Sequence, residues 1–156
     1  MAQDAQKGPY TREGAEQELE DFRLRQKIID MMVYAFPIIE KWSVSHQKLL
    51  GDDIAHCMNE MLELAAALVT DEAKKAHCKN LDCKNKALQD YITTAYKLKY
   101  LKGASTHGEW TRHSKEIGKS IGKYKQWIYN DIAKKGTEEK KPPAKKSYYG
   151  SRGRTY

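Results

Sequence analysis

"THGEWTRHSKEIGKSIGKYKQWI", residues 106–128, decides how the rest of the chain is read. At about 100° per residue, Ile117, Ile121, Tyr124 and Ile128 fall on one side, with Trp110 a little further back. Arg112, Lys115, Lys119 and Lys123 fall on the opposite side. An apolar stripe opposed by a basic one, sustained over the whole stretch, is an amphipathic helix. Thr106 and Glu109 have the spacing of a capping box, which predicts that the helix begins there and runs to about residue 134.

Gly118 and Gly122 stand on the flank between the two faces. Each costs a helix about 1 kcal/mol relative to alanine. A missing side chain lets a second backbone approach, whether a neighbouring helix of the same bundle, another subunit or a phosphate chain. A membrane dimer motif is a poor reading, because no long apolar stretch surrounds the pair.

Outward from this stretch, three more segments show the same three-and-four spacing of apolar residues. The first covers 16–36 and places Phe22, Ile29, Met32, Val33 and Phe36 on the buried side, with Pro37 disfavouring helix just before it. The second covers 46–70 through Leu50, Ile54, Cys57, Met58, Met61, Ala65 and Leu68. The third covers 82–102 and buries Leu88, Tyr91, Ile92, Ala95 and Leu98, with Gly103 placed where a helix end favours a left-handed residue. Long alternating β-branched runs are absent. Four helices with short joints predict an all-α, up-down-up-down antiparallel four-helix bundle over residues 16–135. Residues 1–15 and 136–156 lack apolar periodicity and are expected to be disordered.

A chain of 156 residues with 40% hydrophobic content suits one domain with a real core. No apolar run has the length of a membrane span, and the first residues lack the apolar centre of a signal peptide, so the expected location is cytoplasmic. Three cysteines, Cys57, Cys78 and Cys83, fit free thiols in a reducing compartment. The net charge of +7 is unevenly spread: residues 1–72 carry −7, residues 73–133 carry +8 and residues 134–156 carry +6. An acidic first half and a basic second half point to two faces with different partners.

A lysine stripe alone is compatible with an ordinary solvated face. Lys86 and Lys97 on the polar side of the third helix add to it. So do tail residues Lys145, Lys146, Arg152 and Arg154, interleaved with Tyr148, Tyr149 and Tyr156. Cations for phosphate beside aromatic planes for bases make the mixture used for single-stranded nucleic acid, although a basic tail can also serve only as a solubilising end.

Little speaks for catalysis. Gly-rich phosphate loops, nucleophile elbows and paired carboxylates are missing. Asp53 to His56 is a single, imperfect approach to a di-iron motif, and His77, Cys78 and Cys83 match no closed four-ligand zinc site. His46, His56, His107 and His113 read as surface or satisfied bundle histidines. The expectation is a non-enzymatic protein without metal or cofactor.

"AYKLKYLKGASTHGEWTRHSKEIGKSIGKYKQW", residues 95–127, resembles the third and fourth helices of the accessory variability determinant (Avd) of diversity-generating retroelements. The likeness lies in a leucine-rich helix end, a serine-containing turn, an early aromatic in the next helix, and "EIGKSIGKYKQW" with Gly118, Gly122 and Trp127. The first half, including "YAFPIIEKW", fits in layout, whereas the basic tail has no part in the likeness. The resemblance implies a bundle that assembles into a pentameric ring. It also implies binding to the element's reverse transcriptase and to nucleic acid, in support of error-prone copying of template RNA into cDNA. Two other readings stay open on the residues: an oligomeric scaffold whose basic face meets an acidic protein, and a four-helix protein of the ribosomal RNA intervening-sequence type.

Overall fold

A computed structural model describes the backbone of residues 12–70 and 73–140 and the side chains of residues 21–70 and 73–130. Four long helices dominate: α1 (Arg12–Glu40), α3 (Asp52–Thr70), α4 (Lys74–Lys97) and α5 (Ala104–Lys140). A short α2 (Val44–His46) and a π-helical turn (Gln47–Gly51) lead into α3. No strand occurs among the described residues.

The helices form a closed four-membered bundle in which α1 packs on α3, α3 on α4, α4 on α5 and α5 back on α1. Neighbours run antiparallel, as the cross-links show. Lys27 on α1 donates to Ser120 on α5 while Tyr34, further along α1, meets His113, earlier on α5. The Asn85 amide on α4 donates to the Ser114 carbonyl, and Cys78, earlier on α4, reaches the Ile121 carbonyl. Short joints between long helices allow this geometry. The uneven charge of the sequence thereby becomes a spatial division, with the acidic half in α1 and α3 and the basic half in α4 and α5.

In the core, Ile28, Met31, Ile54, Met58, Met61, Leu81, Leu88, Ile92, Trp110 and Ile117 are fully buried. The stripes expected on α3 and α5 are the buried ones, with Ile128 partly covered. The stripe expected on the first helix is not. Leu24, Ile28, Met31, Ala35 and Ile39 line the core, whereas Phe22, Ile29 and Val33 are 56%, 38% and 68% exposed. Met32 and Phe36 are only partly buried. Helix α1 carries two apolar stripes about 110° apart, and periodicity alone does not rank them. The buried one contains Ala35, which permits close approach, and continues into Ile39 and Trp42 at the corner.

Contrary to expectation, Pro37 does not end α1. Proline lacks the N–H for one helical bond, yet the helix passes through it to Glu40. The Gln47 side-chain amide donates to the carbonyls of Ile39, Glu40 and Trp42 at 3.0–3.2 Å, supplying partners that the helix end leaves open. Gly51 eases the fit, because a Cβ there would lie 2.9 Å from Ile39 Cγ2 and 3.3 Å from Trp42 Cε3 and a side chain would have to shift.

Helix α4 starts earlier than expected, at Lys74, so His77 and Cys78 are helical, as Cys83 is. It also ends earlier, at Lys97, which leaves Leu98 52% exposed instead of buried. The left-handed residue at its end is Lys99, with φ 66°, not Gly103. Lys99 N–H donates to Tyr96 and Tyr100 N–H to Ala95, the bonding of a Schellman motif. Gly103, at φ 139°, instead precedes α5, which begins at Ala104 with Thr106 already inside, so the capping box is not its start. Helix α5 continues through Gly136 to Lys140, past its expected end near residue 134 and into the segment expected to be disordered from 136.

Candidate nucleic-acid interface

Arg112, Lys115, Lys119 and Lys123 are all exposed on the outer face of α5, away from its contacts with α1 and α4. Arg112 and Lys119 hold acidic neighbours on α5 itself. Arg112 donates Nε and Nη2 to the two oxygens of Glu109 at 3.2 and 2.7 Å, and Lys119 reaches Glu116 at 3.1 Å. These hydrogen bonds keep the carboxyls of Glu109 and Glu116 below their ordinary range. Exposed pairs of this kind contribute little to stability, so a phosphate can displace the carboxylate at small cost. Lys115 has no ion-pair partner among the described residues.

On α4, Lys86 is exposed and pairs with Asp82 at 3.2 Å. Asp82 also accepts from Lys125 of α5 at 2.7 Å, which places Lys86 beside α5 through a shared carboxylate. Burial disfavours the charged form of Asp82, but the hydrogen bonds from Lys125 and Lys86 outweigh it and hold its carboxyl below the usual range. Lys97 lies in the last turn of α4, about 16 Å further along the axis. The structure therefore gathers the α5 residues into one face, sets Lys86 near it and leaves Lys97 at the far end of α4. Lys145, Lys146, Arg152, Arg154 and the tail tyrosines lie outside the described residues.

The two glycines differ. A Cβ on Gly118 would meet Asn85 Nδ2 at 3.4 Å, an ordinary contact, while one on Gly122 would meet nothing within 4 Å. Gly118 borders a buried polar link in which Ser114 Oγ donates to Asn85 Oδ1 at 2.7 Å and accepts from Gln89 at 2.9 Å. Buried amides need such partners, and this link fixes α4 against α5.

Sequence reasoning missed a cleft where the start of α4 lies beside the later part of α5. It measures about 290 Å³ and is lined by Lys75, Lys79 and Asp82 from α4 and by Lys125, Ile128 and Tyr129 from α5, with Cys78 and Cys83 between them. Its signal was present in the spacing. Gly118 and Lys125, and Gly122 and Tyr129, are each seven residues apart, so the glycine flank of α5 runs into the cleft.

The thiols are free, with Cys57 and Cys78 buried and Cys83 exposed. Burial pushes the Cys57 and Cys78 thiols up, against the opposing pull of Lys84 and Lys125 respectively. No group of three or more metal-ligating side chains occurs among the described residues. His46 stacks on Tyr100 at 3.8 Å and His107 on Tyr96 at 4.5 Å, and His113 lies 3.5 Å from Glu109. No helix among the described residues is long and apolar enough to cross a membrane. Against known proteins, the chain matches no family model, no curated sequence and no solved structure.

Proposed function

We propose that the chain is a non-enzymatic accessory subunit of a diversity-generating retroelement, of the Avd type, that holds template RNA or cDNA beside the reverse transcriptase in the cytoplasm. The observation that carries the nucleic-acid part is the segregation of charge, with the basic half of the sequence forming the α4/α5 side of the bundle. In this reading Arg112, Lys115, Lys119 and Lys123, with Lys86, Lys97 and the tail cations, meet phosphate. The retroelement assignment rests on the likeness of residues 95–127.

Self-assembly into a ring, pentameric by the same likeness, is supported by two features. Phe22, Ile29 and Val33 form an exposed apolar stripe on the acidic side, larger in kind than the scattered apolar residues of an ordinary surface. Acidic and basic sides on one subunit also suit head-to-tail contacts, which close into rings when the rotation permits.

Size-exclusion chromatography with light scattering, run with single-stranded RNA at low and moderate salt, tests both parts. The expected result is a ring-sized particle that binds RNA and releases it as salt rises, because phosphate contacts release counterions. A monomer would remove the ring, and an oligomer indifferent to RNA would leave the protein-scaffold reading.

A further inference from the structure

We infer that the cleft between the start of α4 and the later part of α5 is a nucleotide pocket, which takes an unpaired base of bound RNA against Tyr129 and the adjoining phosphates on Lys75 and Lys79. The inference rests on the nucleic-acid reading above and adds a place and a chemistry to it.

Three observations converge there. Tyr129 is 53% exposed at the end of the cleft, an aromatic plane left available to solvent. The Lys75 ammonium lies 5.8 Å from the centre of that ring, so a cation and a stacking surface are presented together. Lys79, one turn further along α4, lines the same cleft and has no ion-pair partner among the described residues. Among the described residues the one carboxylate in the lining, Asp82, is already shared by Lys125 and Lys86, so the described lining keeps a positive balance. A bare phosphate would have no use for the exposed ring, and an apolar ligand would have none for the lysines. A nucleotide uses both, since bases stack on aromatic side chains while cations track the backbone.

Gly122 then acquires a reason. It lies on the flank of α5 that carries Tyr129, between the cleft and the outer lysines, and nothing in the bundle fills the space its Cβ would take. That bare stretch leaves the RNA backbone a route from the cleft toward Lys119 and Lys123.

The test compares the full chain's affinity for a short oligouridine and for an abasic ribose-phosphate polymer of equal length, by fluorescence anisotropy. Tyr129→Ala should weaken oligouridine binding by about five-fold or more, in the range given by base stacking, and leave the abasic polymer unaffected. Tyr129→Phe should bind as the parent does. Lys75→Ala with Lys79→Ala should weaken both polymers and lower the salt slope by about two. Circular dichroism and particle mass confirm that each variant remains folded.

A second readout needs no substitution. Cys83 is exposed in the cleft lining while Cys57 and Cys78 are buried, so saturating oligouridine should slow maleimide labelling of Cys83. Oligouridine binding that is indifferent to Tyr129→Ala, with an unchanged Cys83 labelling rate, overturns the pocket and leaves the RNA reading standing. Failure of the parent protein to bind either polymer at low salt overturns both.

Discussion

Two of the four seams of this bundle are built differently. Where α1 meets the corner before α3, the contact is apolar and tight, with Ile39 and Trp42 pressed against the bare backbone of Gly51. Where α4 meets α5, the links are polar: Asn85 and Gln89 with Ser114, Cys78 with the Ile121 carbonyl, and Asp82 with Lys125. An open hollow of about 300 Å³ adjoins the first seam, lined by Phe36, Ile39, Gln47 and Ala55 with the carboxylates Glu40 and Asp52, and no cation is in its lining among the described residues. The second opens at one end into a cationic cleft with an exposed tyrosine. The two sides thus differ in chemistry rather than in room: the hollow on the acidic side offers carboxylates, and the cleft on the basic side offers cations beside an exposed ring.

Substitutions on the two stripes of α1 probe the acidic side and carry the largest expected effect. Ile28 is fully buried, so Ile28→Ala should cost about 2–5 kcal/mol in urea unfolding, the usual range for a large-to-small change in a core. Val33→Ser, on the exposed stripe, should stay within about 0.5 kcal/mol in a monomeric reference. If particle mass falls in Val33→Ser while helicity holds, the exposed stripe is an assembly surface. If Val33→Ser costs as much as Ile28→Ala in a monomer, the division of α1 into inner and outer stripes is wrong.

The glycines sharpen the comparison next. Gly51→Ala forces a Cβ to within 2.9 Å of a packed isoleucine and should destabilise by about 1–3 kcal/mol, as overpacking does. Gly122→Ala should do the opposite in the isolated fold, gaining up to about 1 kcal/mol of helix propensity. Its penalty should appear in RNA binding, where the added methyl group intrudes on the open flank. Equal effects of the two substitutions on thermal unfolding would erase the contrast between the seams.

How much of this was legible follows from the same contrast. Four helices, their order and the inward stripes of α3 and α5 are written in periodicity, because each of those helices has a single apolar line. Helix α1 has two, and only the packing partner selects between them. Gly118 and Gly122 attract notice because they interrupt a regular helix. Gly51 does not, since its role arises from Ile39 and Trp42 folding back across a corner. The cleft required the antiparallel register of α4 and α5, which brings Lys75 beside Tyr129 across more than fifty residues of chain.

At the joint between α4 and α5, Lys99 adopts the left-handed conformation that glycine takes without strain. Lys99→Gly should therefore stabilise the protein by about 1 kcal/mol, raising the urea midpoint with an unchanged slope. A loss of stability would mean that the lysine side chain contributes more to this turn than its backbone strain costs.

The smallest effect distinguishes charge from packing at the polar seam. Asp82 has a folded pKa below its unfolded value, despite burial, because Lys125 and Lys86 hydrogen-bond its charged form. Its ionisation therefore stabilises the fold at pH values above the unfolded carboxylate pKa of about 3.9. That contribution is lost as pH falls through the lower, folded value. Lys125 is partly exposed, so the pair should be worth no more than about 1 kcal/mol. The stability difference between the parent and Asp82→Asn should accordingly be constant from neutral pH down to about 4 and shrink below it. A difference that persists in acid would assign the seam to shape rather than charge. The same substitution removes a negative charge from the cleft, releases Lys125 in its lining and Lys86 nearby, and should tighten binding of oligouridine at neutral pH. Tighter binding from a slightly less stable protein would show that Asp82 serves the fold at the expense of the ligand, which is the trade the open seam implies.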